Sequence, residues 1–186
     1  MDHYFEVRLL LDPEFRESTL MNVVFSKLHR ALVEQRNGCV GVSFPHSRKT
    51  LGDILRLHGN DDDLMQLAGM KWLTVLTDYT HISAVLPVPA EHRYCVVRRV
   101  QSKSNIERLY RRSVKKGWLT KVDAEIKKRE INNKEYNLKY PFVSIKSSST
   151  GQMFKLFIQQ GEVVEMPQAG SFSAYGLSAK ATVPWF

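Results

Sequence analysis

Hydrophobic periodicity over residues 1–90 switches between strand and helix spacing in an order that few folds satisfy. Residues 3–10 alternate, with His3, Phe5, Val7 and Leu9 on one side and Tyr4, Glu6 and Arg8 largely on the other, which predicts a half-buried strand. Asp12-Pro13 breaks the pattern, and Ser18 is expected to open an amphipathic helix to about Gln35, with Leu20, Met21, Val24, Phe25, Leu28, Ala31 and Leu32 as its apolar stripe. Asn37-Gly38 ends that helix. Cys39–Phe44 and Ile54–His58 read as strands, and Asp61-Asp62-Asp63 suits the start of a short helix because acids favour a helix N-terminus. A weaker strand is expected near Tyr79–Val85. Strand, helix, strand, strand, helix, strand is the ferredoxin-like order, and Pro87 and Pro89 suit a boundary near residue 90.

The second half begins with a strand over Tyr94–Val100 that leads into a basic segment. Between Arg98 and Arg129 there are twelve Lys and Arg against Glu107, Asp123 and Glu125, a net of +9, while the whole chain is only +8. One element therefore carries the entire excess, which points to a polyanionic partner. Ser104 and Glu107 form a capping box. Beyond it Arg108, Arg111, Arg112, Lys115 and Lys116 share one helical face, and Ile106, Leu109, Tyr110 and Val114 anchor another. Gly117 suits a helix stop, and Thr120 a cap for a second helix to about Arg129. A solvated charged helix would carry acids four residues away to pair with; this face has almost none, so nucleic acid is favoured over an acidic protein, a membrane surface or solvent alone. Phe142–Lys146 and Met153–Gln159, joined by a polar turn, read as a hairpin, and the C-terminal stretch contains no clear helix. Its Phe172, Tyr175, Leu177, Trp185 and Phe186 are expected to pack on the sheet.

The expected class is α+β: a ferredoxin-like domain over 1–90, then a β-rich domain over 91–186 carrying basic helices at about 104–129 and a β-hairpin at about 142–159. No apolar run approaches membrane-spanning length, and the opening residues enter a strand pattern directly, so a cytoplasmic protein is expected. Cys39 and Cys95 are isolated and are expected to be reduced, semi-buried thiols; no histidine pair or cysteine pair has metal-ligand spacing, so no structural zinc is expected.

His29, the hydroxyls of 147–151 and Tyr175 each have an ordinary explanation: a surface or core histidine, turn chemistry and a packing tyrosine. Together they suit RNA strand cleavage. The ribose 2′-OH supplies the nucleophile, so the protein needs a base poised near neutrality, hydroxyls to hold the nucleophile, and positive charge. That reaction requires neither metal nor cofactor, and none is expected.

The chain resembles the type I-F CRISPR precursor-RNA endoribonucleases, which cut repeat hairpins into guide RNAs. The resemblance rests on blocks in the same order along the whole chain: MDHY at the start, LMNVVFSKLHRALV around His29, GVSFP at 41–45, RVQSKSN at 99–105, PFVSIKSSSTGQMFKLFI at 141–158, YGLS at 175–178 and a terminal VPWF. It implies that His29 is the general base on the 2′-OH, that Ser147 holds this hydroxyl, and that Tyr175 orients the histidine or serine. It further implies that Ser149 and Thr150 contact the backbone beside the cut, that Arg99 and Gln101 read bases at the foot of the stem, and that Phe154 stacks under the last base pair. Ser104, Asn105, Arg108, Arg111, Arg112, Lys115 and Lys116 would then clamp the RNA, mainly through phosphates. The implied partners are the repeat hairpin, the mature guide RNA product with its cyclic or 3′-phosphate end, and the other protein subunits of the type I-F effector complex. The chain departs from the family's arginine-rich pattern at Lys115 and Lys116, at Gly117, which ends the helix early, and at Ile106 in place of a proline. Lysine is a point charge without the guanidinium fork, so less geometric selectivity is expected there. A hairpin-binding subunit that does not cut, and a DNA-binding regulator, remain the competing readings.

Overall fold

The computed structural model describes residues 1–10, 12–100, 112–120, 123, 140–147 and 150–186. The chain forms two compact units, one made of Met1–Val100 with Tyr140–Phe186 and the other of Gln101–Lys139. Residue 90 lies inside the first unit. No helix among the described residues is long and apolar enough to cross a membrane.

The first unit is α+β and holds two antiparallel sheets. In one, β1 (His3–Leu9), β2 (Gly41–Ser43), β3 (Ile54–Gly59) and β4 (Thr80–Ile82) lie in the order β2-β3-β1-β4, and β5 (Leu86–Pro87) also pairs with β1. The expected weak strand near 79–85 is thus split in two, both pieces pairing along the same edge of β1. The helices α1 (Glu17–Gln35) and α2 (Asp61–Gly69) pack against β1. Asn60 caps α2 by accepting a hydrogen bond from the Asp63 N–H at 2.7 Å. Helix α1 begins one residue before the expected Ser18: Arg16 occupies the cap position, without a side-chain cap bond. Asp12 instead shapes the entry, accepting from the Glu14 and Phe15 amides.

The second sheet has the order β7-β8-β6-β9, from β6 (Arg93–Val100), β7 (Phe142–Lys146), β8 (Met153–Val164) and β9 (Thr182–Trp185). The expected hairpin is present, but β8 runs past Gln159. A bulge explains the extension: Cys95 pairs with Val163 and Val97 with Gln160, so Gly161 and Glu162 together face Val96. One added residue flips the side-chain phase, and the alternation read from sequence stops where pairing continues. The same bulge brings the Gly161 carbonyl within 3.3 Å of the Cys95 thiol. Cys95 is buried in the apolar core, while Cys39, on the polar turn after α1, is exposed; both are free, and neither is semi-buried as expected.

A continuous apolar cluster joins the layers. Phe5, Val7 and Leu9 of β1, Leu55 and Leu57 of β3, the stripe of α1, and Val143, Ile145, Leu156 and Ile158 of the second sheet all belong to it. Two polar contacts add to this packing, one between the sheets and one between α1 and the second sheet. The Gln160 side-chain amide accepts from the Phe44 N–H at 2.8 Å and donates to the Phe44 carbonyl at 3.0 Å. The Asn22 side chain of α1 accepts from the Ser144 amide of β7 at 2.8 Å.

Beneath the first sheet, Arg56 is only 8% exposed. It donates to Glu6 at 2.8 Å and to the Phe186 main-chain oxygen at 2.9 Å, with its guanidinium over the Phe186 ring at 3.9 Å. His58 nearby is fully buried; its Nε2 meets the Ser43 hydroxyl at 2.8 Å, and its Nδ1 has no partner among the described residues. Burial, reinforced by Arg56, lowers the His58 pKa from 6.5 to about 3. An unfolded imidazole takes a proton below about pH 6.5, whereas the folded one stays neutral down to about pH 3. The unfolded state then binds more protons, so stability is full above pH 6.5 and falls with pH by about 1 kcal/mol per unit in that window. Urea unfolding at pH 7 and pH 5 should show a loss that is smaller by about 2 kcal/mol in His58→Gln. An identical pH dependence in the variant would reject this account.

Candidate functional site

On α1, Phe25, Leu28 and Leu32 face the core, and His29 follows Leu28 at the edge of the stripe, four residues beyond Phe25. That spacing puts Phe25 and His29 one turn apart on the same side of the helix. The Tyr175 ring lies across both. It is stacked on the His29 imidazole with centroids 4.1 Å apart and planes inclined by 15°, and parallel to Phe25 within 4° at 6.4 Å. The His29 Nδ1 is 2.8 Å from the carbonyl oxygen of Ala174. A carbonyl can only accept, so in the neutral ring Nδ1 carries the proton and the Nε2 lone pair is left available. The ring is thus fixed in plane by stacking and in tautomer by one hydrogen bond, the arrangement a proton acceptor needs.

The loop that delivers Tyr175 is held against β2. The Val42 amide donates to the Gly176 carbonyl at 3.0 Å, and the Gly176 amide donates to the Ser173 carbonyl at 2.8 Å. Gly176 sits at φ +67°, and a Cβ there would lie 2.6 Å from a Val42 methyl. Gly41 is equally tight: its Cβ would lie 2.5 Å from Val183 and 2.7 Å from the Phe172 ring. These close approaches let the 172–178 segment lie flat on the strand and extend over α1.

Ser147 lies at the end of β7, the strand tied to α1 through Asn22. Its amide donates to the Gln152 carbonyl, its carbonyl accepts from the Gly151 amide, and its hydroxyl accepts from the Thr150 amide at 3.2 Å. Thr150 is exposed on this tight turn. One strand register further, Phe154 pairs with Ile145 and is half-buried. The exposed Arg99 of β6 holds its guanidinium over the Phe154 ring at 5.9 Å. The structure therefore brings His29 to Tyr175, Ser147 to Thr150, and Arg99 to Phe154.

In the other unit, Arg112, Lys115 and Lys116 are all exposed around one helical turn. Gly117, at φ +73°, ends it as expected, with the Gly117 amide donating to the Val114 carbonyl and the Trp118 amide to the Ser113 carbonyl. This pair of bonds is a Schellman motif. Thr120 accepts from the Asp123 amide at 3.1 Å and donates its hydroxyl to the Asp123 carboxylate at 2.6 Å, the reciprocal bonding expected of a cap residue. Gln101, Ser104, Asn105, Arg108, Arg111 and Ser149 lie outside the described residues, as do the Ser104–Glu107 capping box and the reach of the second helix to Arg129.

Ala174, Gly176 and Asn22 are the site's supports that sequence reasoning missed. Ala174 acts through its backbone and leaves no side-chain signal. The glycine of YGLS was the one legible hint, since a glycine beside a functional residue marks a close backbone approach.

The family model for CRISPR-associated protein (Cas_Csy4) matches residues 4–186. A protein of Escherichia coli (strain UTI89 / UPEC) named CRISPR-associated endonuclease Cas6/Csy4 is 50% identical over 186 residues, covering 100% of both chains. A protein of the same name from Pseudomonas aeruginosa (strain UCBPP-PA14) is 44% identical over 189 residues, again covering 100% of both.

If Gly176 positions Tyr175, Gly176→Ala should lower stability by about 1–2 kcal/mol for the left-handed backbone alone. It should also lift the loop from Val42 and unstack the tyrosine. The His29 ring protons, shielded by Tyr175 in the wild type, should move toward free-imidazole shifts by NMR; unchanged shifts would show that the glycine does not set the stack.

Proposed function

The chain belongs to the Cas_Csy4 family of CRISPR-associated proteins, and we propose that it is the endoribonuclease that processes type I-F precursor CRISPR RNA. In this reading it binds the repeat hairpin and cuts at the 3′ foot of the stem. His29 Nε2 takes the proton of the ribose 2′-OH, and the 2′-oxygen attacks the adjacent phosphorus. The P–O5′ bond breaks, leaving a 2′,3′-cyclic phosphate on the guide RNA and a 5′-OH on the departing strand, whose oxygen collects a proton from the imidazolium or from water. Ser147 holds the 2′-OH in line, and Tyr175 keeps the imidazole in plane. The nucleophile resides in the substrate, so the step needs no metal.

The observation that carries this reading is the His29 tautomer: with Nδ1 committed to the Ala174 carbonyl, Nε2 is the acceptor. The contact between Arg99 and Phe154 supports a shared role at the stem's foot, the aromatic under the terminal pair and the guanidinium on a guanine edge. Gln101 would read the neighbouring base, and Ser149 and Thr150 would contact the backbone beside the cut. Arg112, Lys115 and Lys116, with Ser104, Asn105, Arg108 and Arg111, would grip phosphates, so that the product is retained and carried into the effector complex with its other subunits, in the cytoplasm. The strand order β2-β3-β1-β4 with two helices packed on β1 supports reading 1–90 as a ferredoxin-like domain, with 91–186 as the recognition domain.

Single-turnover cleavage of repeat hairpins tests the chemistry. His29→Ala should lose about 10²–10⁴-fold or more in rate while keeping its affinity, and EDTA should leave the wild-type rate unchanged. Wild-type cleavage by the variant would overturn the assignment of His29; loss of cleavage in EDTA would overturn the metal-free step. Arg112→Ala should reduce the slope of log Kd against log salt by about one, and an unaltered slope would place this residue off the phosphates.

A further inference from the structure

Trp118 is 72% exposed, an unusual state for the side chain with most to gain from burial. Its backbone, by contrast, is held on both sides. Upstream, the Trp118 amide closes the Schellman motif on Ser113, and downstream Thr120 begins the next cap. The residue after the glycine of such a motif ordinarily folds an apolar side chain back onto the helix turn it terminates. Here the residue it would meet is Ser113, and the indole stands out in solvent instead. One cation reaches it, the Lys116 ammonium at 4.7 Å from the ring centroid, and the exposed Arg112 and Lys115 belong to the helical turn that precedes it. With so much surface open, the ring still offers a face to a second flat group.

We infer that Trp118 is a base-stacking platform that takes an unpaired nucleobase from the loop of the bound RNA hairpin. This rests on the RNA-binding reading above. A phosphate clamp supplies affinity but no contact to bases, and an aromatic ring among cations is the usual means of adding one without sequence restriction. Bases inside the stem have both faces covered by their neighbours. The foot of the stem is assigned to Phe154. The loop is then the part of a hairpin whose bases have a free face to offer. Holding the indole on a doubly capped turn also reduces the conformational freedom lost when it stacks.

The test uses the full chain and a repeat hairpin selected because the wild type binds it, in two forms: a natural loop and the same stem closed by abasic loop residues. Trp118→Ala should weaken binding of the natural loop by about 5- to 150-fold, the equivalent of about 1–3 kcal/mol for one base–aromatic stack. Trp118→Phe should recover most of that loss. Neither variant should change the salt slope, the single-turnover rate at saturation, or binding of the abasic hairpin. Equal affinity of Trp118→Ala and wild type for the natural loop would overturn the inference, as would an equal loss on both hairpins. If the loss instead followed removal of unpaired residues flanking the stem, the loop assignment would be wrong. Failure of the wild type to bind any candidate repeat hairpin would remove the functional reading itself, and this inference with it.

Discussion

The apolar stripe of α1 is the contact on which the rest of the fold depends. Leu20, Met21, Val24, Phe25, Leu28, Ala31 and Leu32 are buried together, and the helix that carries them lies against β1 of one sheet and β7 of the other. Burying one large apolar side chain is worth about 1.5–3 kcal/mol relative to leaving it in water. A neutral hydrogen bond contributes about 1 kcal/mol net, so the stripe outweighs the polar contacts around it. His29 inherits its position from this packing. Its backbone is fixed by the neighbouring Leu28, and the ring alone projects past the stripe to where the Ala174 carbonyl and the Tyr175 ring can reach it.

Much of this arrangement was legible in the residues. The α1 stripe, the alternation of β1 and the Asp-rich start of α2 are local patterns with the period of the element they form, and the structure has them all. Strand β9 was not legible: its four residues contain Pro184, which cannot donate to a sheet ladder, and they lie on the edge beside β6. The end of β8 was hidden by its bulge, and the start of α1 by a cap that uses no side-chain bond. For the candidate site, the roles expected of His29 and Tyr175 come only from the family's motif, because a histidine on a helix and a tyrosine before a glycine are common. Their stacking depends on residues separated by more than half the chain, and the partner of Nδ1 is a backbone carbonyl that any amino acid supplies.

The chain also divides its electrostatics by location. The basic excess sits between Arg98 and Arg129, whereas the contacts that fix the His29 and Tyr175 rings are with neutral groups, the Ala174 carbonyl and the Phe25 ring. Charge attracts and holds a polyanion at long range, and such attraction is sequence-independent. Neutral contacts such as these fix a ring by short-range geometry, independently of that long-range field.

The joint between the two sheets follows the same division. Gln160 meets Phe44 through an amide that both gives and accepts a hydrogen bond, so that contact carries no net charge and no proton to lose or gain. Added salt strips a polyanion from lysine and arginine side chains but has no handle on that amide pair. The alignment that this pair gives the two sheets is therefore independent of the charge carried by the basic segment.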